Sequence, residues 1–226
     1  MTEAEFSEQF RQYVPFLAEG QRRRRPCLVV PELDGPFRRA DYAHVEWTGR
    51  KVPNDAMVAS LSCFRSMVAV STWRYLLSAR SAPLTDISGA IGYGASSVRQ
   101  HLKYLVEHRW VRTNGGRMYT VNSSMRVPQF CLTTYEIKLR DWHQAYDQLV
   151  NHLAFADRVV LVMPVPARRS TETRILEGVG YLPASVLFVG EQGPTVGLWQ
   201  SSARTPGDAR LCALGKVCAQ HLATTL

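Results

Sequence analysis

The chain has 226 residues, 46% of them hydrophobic, and carries 27 Lys and Arg against 19 Asp and Glu for a net charge of +8. This length and apolar content suit one large or two small packed domains and exclude a disordered chain. The basic excess favours a polyanionic partner, nucleic acid before an anionic membrane, and no apolar run is long enough to span a bilayer. Five cysteines without a C-x-x-C pair read as buried thiols of a reducing compartment. The acidic start Met1-Thr2-Glu3-Ala4-Glu5 lacks the apolar core of a secretory signal, so a cytoplasmic location is expected.

Phe6, Phe10, Tyr13, Val14 and Leu17 recur at helical spacing, which predicts an amphipathic helix over residues 3–18. The basic run Arg22 to Arg25 follows and could grip phosphates or lie in a solvated loop. Cys27 to Leu33 reads as a strand, and the turn Asp34-Gly35-Pro36 leads to an alternating strand over Arg39–Trp47. A domain boundary is expected in the polar stretch from Thr48 to Asp55, which divides the chain into 1–55, 58–124 and 126–226.

The period changes from about residue 58. Phe64, Met67, Val68, Ser71, Tyr75 and Leu76 mark one helical face, and Leu84, Ile87 and Ile91 a short second helix ending at Gly92-Tyr93-Gly94. Ser96 and Ser97 are placed to cap a third helix with Val98, Leu102, Leu105 and Val106 inward. Asn114-Gly115-Gly116 then signals a hairpin. This order, with Leu-x-x-Ile-x-x-x-Ile, a glycine turn and Ser-x-x-Val-x-x-x-Leu-x-x-Leu, resembles the winged helix-turn-helix of bacterial regulators over about residues 60–123. The resemblance implies DNA binding through Ser96, Ser97, Arg99, Gln100, Lys103 and Tyr104 on the third helix, with Arg112 and Arg117 on the wing. Some winged helices mediate protein contacts instead, but the basic balance favours DNA.

Residues 128–139 read as a strand, and Asp141 is expected to cap a helix burying Trp142, Tyr146, Leu149, Val150 and Leu153. Arg158 to Pro164 is a candidate buried strand, with a helix near Thr171–Glu177, strands at Ser185–Val189 and Thr195–Gln200, and a closing helix from about Gly207. The alternation makes this part α/β.

Glu136-Ile137-Lys138 ends the first of these strands. On a strand, Glu136 and Lys138 share a face and Ile137 turns to the core, so a carboxylate and an ammonium stand side by side. The segment "TTYEIKLRDWHQAYDQLVNHLAFADRVVLVMP" resembles the PD-(D/E)XK fold of RecB-like and restriction-endonuclease-like nucleases: a strand ending in Glu-x-Lys, a helix bearing a Gln, and a buried strand ending in Pro. The resemblance implies a mixed sheet flanked by helices, and Mg²⁺-dependent phosphodiester hydrolysis. Asp41 in "RRADYAHVEW" and Glu136 would hold Mg²⁺, with the Ile137 carbonyl as a further ligand. Lys138 would orient or deprotonate the attacking water with a pKa lowered by burial and the cation, Glu32 would orient the ligands or hold a second ion, and Gln148 and Arg22–Arg25 would meet the phosphate backbone. The family joins its two acidic strands by a tight hairpin, where this chain interposes the whole helix-turn-helix.

Two readings follow. One is a DNA-binding deoxyribonuclease; the other is a non-catalytic winged-helix transcriptional regulator, its α/β part kept for dimerisation or sensing. A homodimer on two half-sites is compatible with either. The enzyme reading requires Asp41, Glu136 and Lys138 to converge within reach of one cation.

Overall fold

The structure, a computed structural model, describes residues 1–14, 26–200 and 207–225. They form two compact units, one made of Met1–Thr48 with Phe130–Arg210, the other of Gly49–Gln129 with Leu211–Leu226.

The first unit is an α/β unit. It begins with helix α1 (Glu3–Arg11), strand β1 (Cys27–Asp34) and strand β2 (Arg39–Trp47). A capping box starts α1: the Thr2 hydroxyl accepts the Glu5 N–H while the Glu5 carboxylate accepts the Thr2 N–H. The second unit then supplies α2 (Asp55–Leu61), α3 (Met67–Ala79), β3 (Ser81–Ala82), α4 (Leu84–Ile91), α5 (Ala95–Glu107), β4 (Val111–Asn114) and β5 (Met118–Val121). The α/β unit resumes with β6 (Phe130–Ile137), α6 (Trp142–Leu153), β7 (Arg158–Pro164), α7 (Arg169–Gly180), β8 (Ser185–Gly190) and β9 (Gly193–Leu198). Last comes α8 (Gly207–Thr225), which the division at Arg210 splits between the units.

The α/β unit is built on a mixed sheet in the order β1-β2-β6-β7-β8-β9. β6, β7 and β8 run parallel, joined by the crossover helices α6 and α7, and the flanking pairs are antiparallel. β7 is a β-branched run buried on both faces, as a central parallel strand requires. β2 is also buried almost throughout, so the expected alternation is absent. On one face, Phe6 and Phe10 of α1 pack with Tyr42, Tyr135, Ile137, Val160, Val162, Leu187 and Val189. β2 pairs directly with β6 although the second unit lies between them in the chain, and Trp47 against Phe130 is the last pair before it.

Several local expectations change. The helix expected from residue 58 to 80 is α2, a 3₁₀ turn at Ser62–Phe64 and α3, bent by 100°. The core face of α3 is Ala69, Val70, Thr72, Trp73 and Leu76 rather than the stripe through Met67, Ser71 and Tyr75. Asp141 caps α6 through the His143 N–H, but the helix buries Ala145, Leu149 and His152 and leaves Val150 exposed. The tail from Leu211 groups with the central segment, not with the rest of 126–226, because Gly215 lets α8 lie against the backbone of Phe64 and Arg65. No single helix among the described residues is long and apolar enough to cross a membrane.

Candidate functional site

The register of β2 against β6 sets Tyr42 opposite Tyr135, and one step further brings Asp41 opposite Glu136. Asp41 Oδ2 accepts the backbone N–H of Ile137 at 2.7 Å. Tyr135 and Ile137 belong to the core beneath α1, so Glu136 projects to the other face of the sheet. Lys138, two residues on, returns to that face and sets its Nζ 2.8 Å from Glu136 Oε1. The Lys138 side chain is 12% exposed and that of Glu136 is 1% exposed, so this is a buried pair. Both Glu136 oxygens are buried; Oε1 meets the Lys138 ammonium in a charge-assisted contact, and Oε2 has no partner among the described residues.

Burial, and then the neighbouring charge of Asp41, raise the Glu136 pKa to about 7, with Lys138 opposing both. Asp41 is also raised, because burial outweighs the Ile137 N–H bond and the Lys138 charge. Lys138 moves the other way from the sequence expectation. Burial lowers its pKa, but the attraction of Glu136, Glu3 and Asp41 outweighs burial and leaves it raised. With no bound cation it is an ammonium that donates, not a base.

Glu3 is the member of this group that sequence reasoning missed. Its Oε1 lies 3.5 Å from Lys138 Nζ, from the first turn of α1. The Thr2-x-x-Glu5 capping box marks where the helix starts, but only the packing of α1 on the sheet brings Glu3 to the end of β6. Glu32 is not gathered in. It sits at φ 49° and its exposed carboxylate pairs with Arg39. Gln148 is half-buried on α6, with no hydrogen bond to Asp41, Glu136 or Lys138 among the described residues. Leu17 and the Arg22–Arg25 run lie outside the described residues.

In the second unit, α3, α4 and α5 precede the β4–β5 hairpin, and β3 adds a third strand in the order β3-β5-β4. Gly92 ends α4 at φ 71°, and Gly115 and Gly116, at φ 58° and 71°, turn the hairpin. Val98, Leu102 and Leu105 of α5 are buried, while Ser96, Arg99, Gln100 and Lys103 are exposed and Ser97 and Tyr104 half-buried. Arg112 and Arg117 are exposed on the hairpin. Lys103 lies 3.9 Å from Glu107, and Arg112 donates to Asn122. Ser96 and Ser97 do not cap: the N-cap of α5 is Gly94, without a side-chain bond, so both serines lie within the first turn.

A divalent cation fits the first site by donor chemistry. Asp41 and Glu136 offer hard oxygens on one face, and Glu136 Oε2 is a buried polar atom without a partner among the described residues that a ligand would satisfy. The set is sparse: among the described residues, no group of three His, Cys, Asp or Glu side chains is arranged to hold a metal ion. Water and the Ile137 carbonyl would have to complete an octahedron around Mg²⁺. In comparisons with protein-family models, with curated proteins and with solved structures, nothing matches this chain.

Proposed function

We propose that the chain is a DNA-binding protein whose α/β unit is a PD-(D/E)XK-like, Mg²⁺-dependent deoxyribonuclease and whose central segment is a winged helix-turn-helix. One observation carries the reading: Asp41, 96 residues from Ile137 in the chain, meets Glu136 and Lys138 at the end of β6 around a buried carboxylate whose Oε2 has no hydrogen-bond partner among the described residues. An ordinary surface ion pair would be exposed and satisfied by water. Mg²⁺ held by Asp41 and Glu136 would supply a Lewis acid for the scissile phosphate and lower the pKa of a bound water. Asp41, fixed by the Ile137 N–H, and Glu136, fixed by burial, orient the ligand oxygens. Lys138, an ammonium, would donate a hydrogen bond to a phosphate oxygen and so stabilise its developing charge, while the attacking water would lose its proton to solvent. The exposed Arg99, Gln100 and Lys103, with Arg112 and Arg117, would meet the duplex.

The test is cleavage of supercoiled plasmid and of linear single- and double-stranded DNA with Mg²⁺ or Mn²⁺, comparing wild type with Glu136→Ala and Lys138→Ala, with DNA binding measured in parallel. Cation-dependent cutting lost in both variants, with binding intact, supports the nuclease. Equal binding by all three proteins without cutting leaves the second reading, a non-catalytic regulator. The sparse ligand set and the raised pKa of Lys138 favour that alternative.

A further inference from the structure

A cavity of about 230 Å³ opens in the second unit between the turn that precedes α3 and one side of α5. Arg65 and Ser66 line it from the turn, and Gln100, His101, Tyr104 and His108 from the helix. We infer that this cavity is a binding site for a small anion, a phosphate or carboxylate group carried by a free effector molecule.

Three observations carry it. No carboxylate lines the cavity, so nothing in its wall repels an anion or neutralises Arg65. Arg65 is exposed and lies over the Tyr104 ring, 5.9 Å from its centroid, a cation–π contact that biases the guanidinium toward the cavity wall. The wall otherwise presents donors: the Gln100 amide, the Tyr104 hydroxyl, and the Ser66 hydroxyl, whose oxygen accepts the Val68 N–H and whose hydrogen stays available. A planar guanidinium beside several neutral donors is the chemistry that holds a phosphate or carboxylate bidentately.

Gln100 and Tyr104 are also residues assigned above to the duplex. An occupied cavity would tie down both, so the anion and DNA compete; this consequence, unlike the site itself, rests on the proposed DNA-binding role.

The experiment uses the full chain and inorganic phosphate, followed through the ring signals of His101 and His108 by NMR, with chloride at the same ionic strength as the reference. Saturable shifts of both rings are expected at phosphate concentrations on the order of millimolar. Arg65→Gln weakens binding by about tenfold, the loss of one charge-assisted contact, while Arg169→Gln, exposed on the α/β unit, leaves it unchanged. An unaltered thermal midpoint for Arg65→Gln separates lost binding from lost folding. Shifts that do not saturate, or equal binding by wild type and Arg65→Gln, overturn the site. Saturable phosphate binding that leaves duplex affinity untouched keeps the site and overturns the competition alone.

Discussion

Asp41 Oδ2 accepts the Ile137 N–H at 2.7 Å across 96 residues of chain, and that bond sets the carboxylate of Asp41 beside that of Glu136. The Asp41 charge adds to burial in raising the Glu136 pKa, whereas Asp41 itself is raised by burial and by Glu3. Replacing Asp41 by Asn removes the charge but keeps a hydrogen-bond acceptor. The Glu136 carboxyl, followed by ¹³C NMR, is then expected to titrate below its value of about 7. An unchanged titration would mean that burial alone sets it.

The same shift makes stability depend on pH, with a definite sign. Between the ordinary value of 4.5 and about 7, the folded chain holds a proton on Glu136 that the unfolded chain has released. Stability therefore falls as pH rises through that window, by at most about 3 kcal/mol. The raised Asp41 acts in the same direction, and Lys138, raised from 10.5, adds stability that is present throughout this window and is lost only in the alkaline range. Denaturant unfolding at pH 4.5 and pH 8 should show the loss in wild type and a flatter dependence in Glu136→Gln; parallel slopes would contradict the assignment.

Cation binding shares this proton. A divalent ion that uses both oxygens of Glu136 must displace it, so Mg²⁺ should bind more weakly below pH 7 and recover the stability lost above it. Calorimetric titration at pH 6 and pH 8 measures this, and pH-independent binding would place the ion elsewhere.

Two glycines of the second unit should respond with opposite signs. A Cβ at Gly215 would lie 2.6 Å from the Arg65 backbone nitrogen, so Gly215→Ala forces α8 away and costs roughly 1–3 kcal/mol. Gly89, inside α4, has nothing within 4 Å, so Gly89→Ala stabilises by about 0.5–1 kcal/mol through helix propensity. Thermal unfolding of the two variants decides both.

Salt dependence tests the duplex face. If Arg99 and Arg112 each meet a phosphate, alanine at either position should weaken binding to all sequences alike and reduce the slope of log K against log salt by about one. Fluorescence anisotropy with two unrelated duplexes at several salt concentrations is the measurement. A loss confined to one duplex would move the residue from phosphate contact to base reading.

Local chemistry alone determined much of this protein. The capping box at Thr2 and Glu5, the hairpin glycines Gly115 and Gly116, the Asp141 cap and the β-branched run of β7 are short-range features, and each element lies close to where its residues predict. Glu136 and Lys138 were also legible as a pair, because strand alternation alone puts them on one face. Tertiary structure decided the rest. The pairing of β2 with β6 around the intervening unit determines whether Asp41 reaches Glu136, and the seat of α1 brings Glu3 to Lys138. Glu32 goes to Arg39 because a residue at φ 49° no longer follows the strand. The sign of the Lys138 shift depends on how many carboxylates gather around one ammonium, a sum over distances that spacing along the chain does not contain.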